Sequence, residues 1–186
     1  MRVAFSGSHR TGKTTLLEAV AAHLVTYQTV AEPYWQLEEE GYEFLDPPTM
    51  EDFERQLRRS IDAIAELRAD TLFDRCPLDF VAYLREIAPD DFDLENWMSE
   101  IRTAMASLEL VVVVPIEALD RIALSSEHDR RLRRNVDAAI RELVVDDPFE
   151  LGVPMVEVRG SLDQRVEQVL LALRSTADRS DPMRGS

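Results

Sequence analysis

The segment that decides the fold reads Gly7-Ser8-His9-Arg10-Thr11-Gly12-Lys13-Thr14. It fits the pattern G-x-x-x-x-G-K-[ST] without a mismatch, and it stands between an apolar run at residues 3–5 and a helical pattern at residues 14–25. In this pattern two glycines let backbone N–H groups turn around an anion, and the following helix adds donors and a favourable dipole. The segment therefore predicts a phosphate-binding loop between a strand and a helix.

The loop also predicts its ligands. We expect nucleotide phosphates to contact residues 7–14 and the next residue, Thr15. The Lys13 ammonium would bridge the terminal phosphates, and the Thr14 hydroxyl would ligate magnesium. ATP and Mg²⁺ are thus the expected cofactors.

Charge and lysine content exclude several classes of protein. The 186 residues include 21 basic and 36 acidic side chains, which gives a net charge of −15, and Lys13 is the single lysine. A GTPase with an Asn-Lys-x-Asp loop needs a second lysine, and a protein kinase needs one on its third strand. A chain this acidic lacks the basic face that binds nucleic acid or an anionic membrane. We therefore expect no nucleic-acid partner and no membrane partner.

Cysteine content and hydropathy predict a cytoplasmic protein. One cysteine, Cys76, cannot form an internal disulfide, and three dispersed histidines do not form a zinc cluster. The chain begins without an apolar segment of signal-peptide length, and no run approaches the roughly 20 apolar residues that span a bilayer. Residues 1–175 are predicted to form a single domain, and the polar residues 176–186 are left outside it. The sequence leaves the oligomeric state open, a homodimer included.

Strand-like and helix-like periods alternate along the chain. The run at residues 110–114 is apolar on both faces, as expected for a central strand covered on both sides. We predict an α/β fold with a doubly wound, parallel five-stranded sheet and helices on both faces. The predicted strands are residues 3–5, 29–31, 71–74, 110–114 and 155–158. The predicted helices are residues 14–25, a long helix that starts at residue 49, and residues 77–88, 94–108, 117–124, 130–145 and 162–173.

Charged residues follow two of the predicted strands. Glu32 finishes the second strand, and Asp74 and Arg75 finish the third. Doubly wound folds bind ligands beyond the carboxyl ends of their strands, so we expect both carboxylates to face the phosphate loop. A carboxylate in that place can orient a substrate hydroxyl and accept its proton. Arg75 can either bind a phosphoryl oxygen or orient Glu32.

These strand ends resemble a family pattern. Glu32-Pro33-Tyr34-Trp35 and Asp74-Arg75-Cys76-Pro77 are similar to motifs of the deoxynucleoside kinases, including the herpesvirus thymidine kinase type. The chain also resembles bacterial ATP-binding domains related to nicotinamide riboside kinase. The resemblance implies that Glu32 is the base on a sugar hydroxyl, that Arg75 sits in the active site and that Asp74 lies close to magnesium. The spacing of Trp35 and the cysteine at position 76, where serine is common, depart from the family pattern.

Four arginines lie within five residues, at Arg130, Arg131, Arg133 and Arg134. They resemble the lid of nucleoside and nucleotide kinases, whose arginines close over the phosphates, and they place a lid near residues 125–135. Arginine stays charged and can bind two oxygens at once. We name Arg130 and Arg134, which share a helical face, as candidates for contact with the phosphates. Arg130 and Arg133 also share a helical face. The alternative is a solvated helix face whose arginines pair with nearby acids.

The favoured hypothesis is a phosphotransferase that moves the terminal phosphoryl group of ATP to a hydroxyl of a small molecule, a nucleoside or nucleoside-like compound. Its predicted catalytic residues are Lys13, Glu32, Asp74, Arg75, Arg130 and Arg134. The alternative is an ATPase or a regulatory ATP-binding module without such an acceptor. Mechanical ATPases usually end an apolar strand in adjacent Asp-Glu, whereas this strand is followed by Pro115-Ile116-Glu117. A protein-binding module without chemistry is a third hypothesis.

Overall fold

The computed structural model describes residues 1–66, 69–117 and 126–180. Within these ranges five strands form one parallel sheet, in the order β2-β3-β1-β4-β5. The strands are β1 (Arg2–Ser6), β2 (Gln28–Val30), β3 (Thr71–Asp74), β4 (Leu110–Val113) and β5 (Met155–Glu157). The predicted parallel five-stranded sheet is therefore confirmed.

Helices connect the strands and cover the sheet. In the described residues they are α1 (Lys13–Ala21), α2 (Pro33–Glu39), α3 (Met50–Ala65), α4 (Pro77–Ile87), α5 (Glu95–Ala106), α6 (Glu127–Arg141) and α7 (Leu162–Ser180). A π-helical turn, Glu142–Asp146, continues α6. No helix in this part of the chain is long and apolar enough to cross a membrane.

Two helices differ from the sequence prediction. Helix α2 was not predicted from the sequence. Pro33, which follows the end of the second predicted strand, stands in the first turn of this helix, where an N–H group would be unpaired anyway. Helix α7 continues past the predicted end at residue 173, and Thr176 is buried, so residues 176–180 belong to the fold. Residues 118–124 of the helix predicted at 117–124, and residues 181–186 of the polar tail, lie outside the described residues.

Alternate side chains of the strands face two separate cores. On β1, Val3 and Phe5 pack with α1 and α7, whereas Ala4 packs with α3, α4, α5 and α6. On β4, Val112 belongs to the first core and Val111 to the second, and both are fully buried. Burial on both faces explains why β4 is apolar throughout, and it confirms the doubly wound arrangement.

Helix α3 begins with a capping box, at the residue where the sequence predicted the start of a helix. The Thr49 backbone N–H donates to Asp52 Oδ2 at 2.7 Å, and the Asp52 N–H donates to the Thr49 hydroxyl oxygen at 3.4 Å. The Tyr42 hydroxyl donates to the other Asp52 oxygen at 2.8 Å. The buried Asp52 carboxylate therefore caps the helix and also ties the segment before it to the helix.

Replacing Asp52 with alanine should lower the free energy of unfolding by about 1–3 kcal/mol, because the cap and the Tyr42 hydrogen bond are both lost. Burial alone would raise the pKa of Asp52, but hydrogen bonds from Thr49 and Tyr42 outweigh it and lower that pKa. A carboxyl whose folded-state pKa is lowered stabilises the protein above its unfolded pKa, and this contribution disappears as the pH falls through the folded-state value.

Urea unfolding of the wild type and Asp52→Ala should therefore differ most at neutral pH and converge below about pH 4. Asp62→Ala, an exposed position on the same helix, is the matched control and should unfold like the wild type. A difference for Asp52→Ala that stays constant as the pH falls would contradict this account.

Candidate active site

The phosphate loop joins β1 to α1, as predicted. Gly7 and Gly12 both have positive φ angles, 153° and 84°. A Cβ atom at Gly7 would overlap the carbonyl oxygen of Val114, and Gly12 is the residue that caps α1. Both glycines are therefore required by the backbone. Ser8 is buried inside the loop, whereas the Thr15 side chain is exposed in the first turn of α1.

Lys13 is buried at the start of α1. Its Nζ donates to the carbonyl oxygen of Ser8 at 2.8 Å, so the ammonium lies folded against its own loop. Burial and the nearby guanidinium of Arg75 lower the pKa of Lys13 to about 8, although the carboxylates of the site oppose this shift. An anion bound beside this buried ammonium would stabilise its charged form, so the environment of Lys13 suits a site for an anion.

Asp74 and Thr14 form an oxygen pair beside the loop. Asp74 is the last residue of β3, and its Oδ2 accepts from the Thr14 hydroxyl at 2.5 Å. Its Oδ1 is buried and has no hydrogen-bond partner among the described residues, and burial raises the pKa of the carboxyl. Magnesium prefers a few hard oxygen ligands of this kind. The two residues therefore fit the magnesium site predicted for them.

Glu32 and Arg75 form a buried ion pair at the ends of β2 and β3. Arg75 Nε donates to Glu32 Oε1 at 2.5 Å, and Arg75 Nη1 donates to the Gly7 carbonyl at 3.1 Å. Burial alone would raise the pKa of Glu32, but the charges of Arg75 and Lys13 outweigh it and lower the pKa. Of the two roles expected for Arg75, the contacts agree with the orientation of Glu32. Arg75 holds the Glu32 side chain in place and keeps it ionised.

Asp79 on α4 is a second carboxylate partner of Arg75, and it is not among the site residues predicted from the sequence. Its Oδ1 accepts from the Gly7 N–H at 2.9 Å and from Arg75 Nη1 at 3.4 Å. Its Oδ2 accepts from the Cys76 N–H at 3.0 Å and from Cys76 Sγ at 3.2 Å. The sequence signal for it was the Cys76-x-x-Asp79 spacing of a capping box, which a cysteine at the cap position conceals.

A cleft of about 500 Å³ opens beside Glu32 and Arg75. Clefts of this size hold small organic ligands. Trp35, which belongs to the family-like motif, does not line it: the indole is 55% exposed and packs edge-on against Tyr34. The aromatic rings that line the cleft are Tyr34, Phe44, Phe53, Phe80 and Tyr83.

One arginine of the predicted lid contacts the phosphate loop. Arg133 on α6 is buried, and its Nε donates to the His9 carbonyl at 2.9 Å while its Nη2 donates to the Arg10 carbonyl at 3.3 Å. Arg133 shares the buried face of α6 with Val136 and Ile140. The 3-4 spacing of these three positions was the available signal, because it marks the face of the helix that packs inward.

The structure does not bring the two named arginines, Arg130 and Arg134, to the loop. Their side chains are 46% and 58% exposed and both bond to Glu127, on the outer face of α6. Helical geometry is the reason, since the face that carries Arg133 is the buried one. Their predicted role at the phosphates stays a prediction.

Comparisons with known proteins agree with this architecture. The model of a family described as AAA domain matches residues 2–165. No curated protein is detectably similar in sequence.

Three solved structures are similar to this chain. NadR, solved in complex with NR, has a TM-score of 0.66 at 19% identity, over 94% of this chain and 50% of NadR. Deoxyadenosine kinase from M. mycoides, solved with dATP, has a TM-score of 0.64 at 15% identity, over 94% of this chain and 100% of the kinase. Shikimate kinase from Aquifex aeolicus has a TM-score of 0.58 at 14% identity, over 95% and 98%.

At these identities the similarity shows the fold alone, and it agrees with the predicted α/β fold. The chain spans about half the length of the NadR chain that it matches.

The single lysine makes the phosphate loop open to a direct chemical test. Amine-directed reagents should label Lys13 and the terminal amine and no other side chain. Because the pKa of Lys13 is lowered to about 8, its neutral, reactive form is well populated at mildly alkaline pH. Mass spectrometry should show that ATP protects Lys13 while labelling of the terminal amine continues. Labelling of Lys13 that ATP leaves unchanged would contradict the site.

Asp79→Asn should destabilise the protein by about 2–4 kcal/mol, because it leaves the buried Arg75 with one carboxylate partner fewer and turns an amide group toward the Cys76 donors. Asp90→Asn, at an exposed position after α4, is the control and should unfold like the wild type. Denaturant unfolding measures both variants, and equal midpoints would show that Asp79 does not brace the loop.

Proposed function

The chain belongs to the AAA domain family, and from this premise and its P-loop kinase fold we propose that it moves the terminal phosphoryl group of ATP to a hydroxyl of a nucleoside or nucleoside-like compound. The observation that carries the proposal is the place of Glu32: an ionised carboxylate stands between the phosphate loop and a formed cleft. A cytoplasmic location and a homodimer remain predictions from the sequence.

The donor side of the site suits ATP with magnesium. Backbone N–H groups at the start of α1 and the Lys13 ammonium would bind the phosphates, and Thr14 and Asp74 would hold the metal ion. Magnesium, when bound, offsets the negative charge of the phosphate oxygens. Arg133 supports this binding by fixing the loop backbone through the carbonyls of His9 and Arg10.

The acceptor side depends on Glu32. Because Arg75 and Lys13 keep its pKa below the ordinary value, Glu32 is ionised throughout the physiological range. Such a carboxylate is a weak base, but phosphoryl transfer passes through a loose transition state in which orienting the hydroxyl matters most. Glu32 therefore accepts a hydrogen bond from the acceptor hydroxyl, aligns its oxygen with the phosphate and takes the proton as the new bond forms.

The walls of the cleft indicate the kind of acceptor. Aromatic rings form stacked pairs there, Tyr34 with Phe44 at 4.3 Å and Phe53 with Tyr83 at 4.8 Å between centroids. Such flat apolar surfaces suit a planar ring on the acceptor. The similar structures of NadR with NR and of deoxyadenosine kinase also support a nucleoside-like compound.

The charges of the cleft argue against an anionic acceptor. Among the described lining residues the carboxylates are Glu32, Asp46 and Asp129, and the one cation is Arg75, which is already paired with Glu32. A phosphate or carboxylate group placed against Glu32 and Asp46 would be repelled by them. We therefore expect nucleosides to be better substrates than nucleoside monophosphates or shikimate.

Consumption of ATP should depend on an added acceptor. We would assay nucleosides, nicotinamide riboside, aminoglycoside-like sugars, nucleoside monophosphates and shikimate. Glu32→Gln keeps an oxygen for the Arg75 hydrogen bond but removes the charge, and it should lower kcat on the best acceptor about 100-fold or more. Glu39→Gln, an exposed residue of α2, is the matched control and should keep wild-type activity.

The same assay separates the alternatives. ATP hydrolysis at one rate with every compound would contradict the proposal and favour an ATPase. Nucleotide binding without turnover, unchanged by Glu32→Gln, would favour a regulatory ATP-binding module.

A further inference from the structure

His9 of the phosphate loop and Tyr83 of α4 make two hydrogen bonds with each other. The His9 backbone N–H donates to the Tyr83 hydroxyl oxygen at 2.9 Å, and His9 Nδ1 lies 2.9 Å from the same oxygen. Tyr83 is buried and is stacked on Phe53. The tyrosine is thus a rigid partner that fixes both the backbone and the ring of His9.

The position of the protons follows from these contacts. The Tyr83 oxygen accepts from the His9 backbone N–H, so its own proton needs an acceptor, and His9 Nδ1 is the acceptor within reach. If Nδ1 accepts, the ring proton of a neutral imidazole stands on Nε2.

The charges around the ring keep it neutral. Burial and then the cations Arg75, Arg133, Lys13 and Arg10 lower the pKa of His9 to about 4. The aromatic ring therefore carries no charge at neutral pH, although it stands among four cations. The neutral His9 imidazole can donate a hydrogen bond without carrying a positive charge, which the four cations cannot do.

We propose that His9 is a binding residue of the acceptor site, whose neutral Nε2–H, fixed by the Tyr83 hydroxyl, donates a hydrogen bond to an oxygen of the acceptor. The inference rests on the proposed function. His9 lines the cleft together with Glu32, Arg75 and Tyr83, so the residue lies on the acceptor side of the loop. Glu32 accepts from the acceptor and His9 donates to it, and this pairing selects acceptors that carry a second oxygen, such as sugars.

A neutral donor suits this place better than a cation does. Arg75 and Lys13 already act on Glu32, and a further cation in contact with it would compete for the carboxylate and weaken its hold on the acceptor hydroxyl. A buried cation without a partner would also lower stability. The Tyr83 hydroxyl thus determines which ring nitrogen of His9 carries the proton, as well as where the ring lies.

The tautomer can be read without any enzymatic assay. The chain has three histidines, and His23 and His128 are exposed, so ¹⁵N-histidine labelling gives three imidazoles that single variants can assign. We expect the His9 ring to be neutral at pH 7 with its proton on Nε2, and this preference to be lost in Tyr83→Phe. A proton on Nδ1, or an imidazolium at neutral pH, would overturn the inference.

Kinetics then test the contact with the acceptor. His9→Leu should raise KM for the acceptor about tenfold and leave KM for ATP within about twofold, since one hydrogen bond is lost from the acceptor alone. His9→Gln, which supplies an amide N–H, should recover most of the loss, and His23→Leu is the control that should behave as the wild type. A rise in KM for ATP with an unchanged KM for the acceptor would overturn the inference and make His9 a phosphate ligand.

The two proposals fail in different ways. If the wild type phosphorylates no compound of the panel, the proposed function has failed. The tautomer measurement then decides alone whether His9 is the neutral donor that Tyr83 fixes.

Discussion

Arg75 lies where the ends of three strands meet, and its guanidinium joins them. It bonds to Glu32 after β2, to the Gly7 carbonyl after β1 and to Asp79 at the start of α4, while its own backbone leaves β3 with a φ of 83°. A left-handed backbone is strained for a residue with a side chain, and a buried cation is unstable without partners. The three partners make both features tolerable, so the loop, Glu32 and α4 hold their places only together.

The same constraint favours arginine over lysine at two buried positions that join segments of the chain. Arg75 and Arg133 each reach two or more acceptors on different segments, which the planar guanidinium allows and an ammonium does less well. Lys13, the single lysine, lies in the phosphate loop, where its thin stem suits the place between phosphate oxygens that is proposed for it. Arg75 and Arg133 join segments of the protein, whereas Lys13 is the residue proposed to bind the ligand.

The hydrophobic periodicity of the sequence was sufficient to predict the fold. Two-sided apolar strands, the phosphate loop and the capping box at Thr49 each follow from local rules, and the structure has them. Glu32, Asp74 and Arg75 could also be named, because parallel strands end at one edge of a sheet. Helix α2 was missed since Pro33 permits both the end of a strand and the first turn of a helix.

The remaining part of the site depends on tertiary contacts that no local pattern contains. Asp79, Tyr83 and Arg133 contact residues between 72 and 124 positions away along the chain. Each is placed by the face that its helix turns toward the loop. The spacing of Arg133 with apolar residues of α6 marks the inward face of that helix, but only tertiary contacts decide that this face meets the loop. Sequence therefore gave the residues at strand ends, and the structure added those that the helices bring to them.

The pKa values of two carboxylates at the strand ends are shifted in opposite directions by their surroundings. Glu32 has a cation as its partner, and Arg75 and Lys13 lower its pKa in spite of burial. Asp74 accepts a hydrogen bond from the Thr14 hydroxyl, and its other oxygen has no hydrogen-bond partner among the described residues. Burial raises its pKa. Groups whose environments separate their pKa values in this way take different roles. Glu32 is held as an anion by its cation partner, which suits the proposed contact with a hydroxyl, whereas burial leaves the charge of Asp74 only partly compensated, which suits the cation site proposed at Asp74 and Thr14.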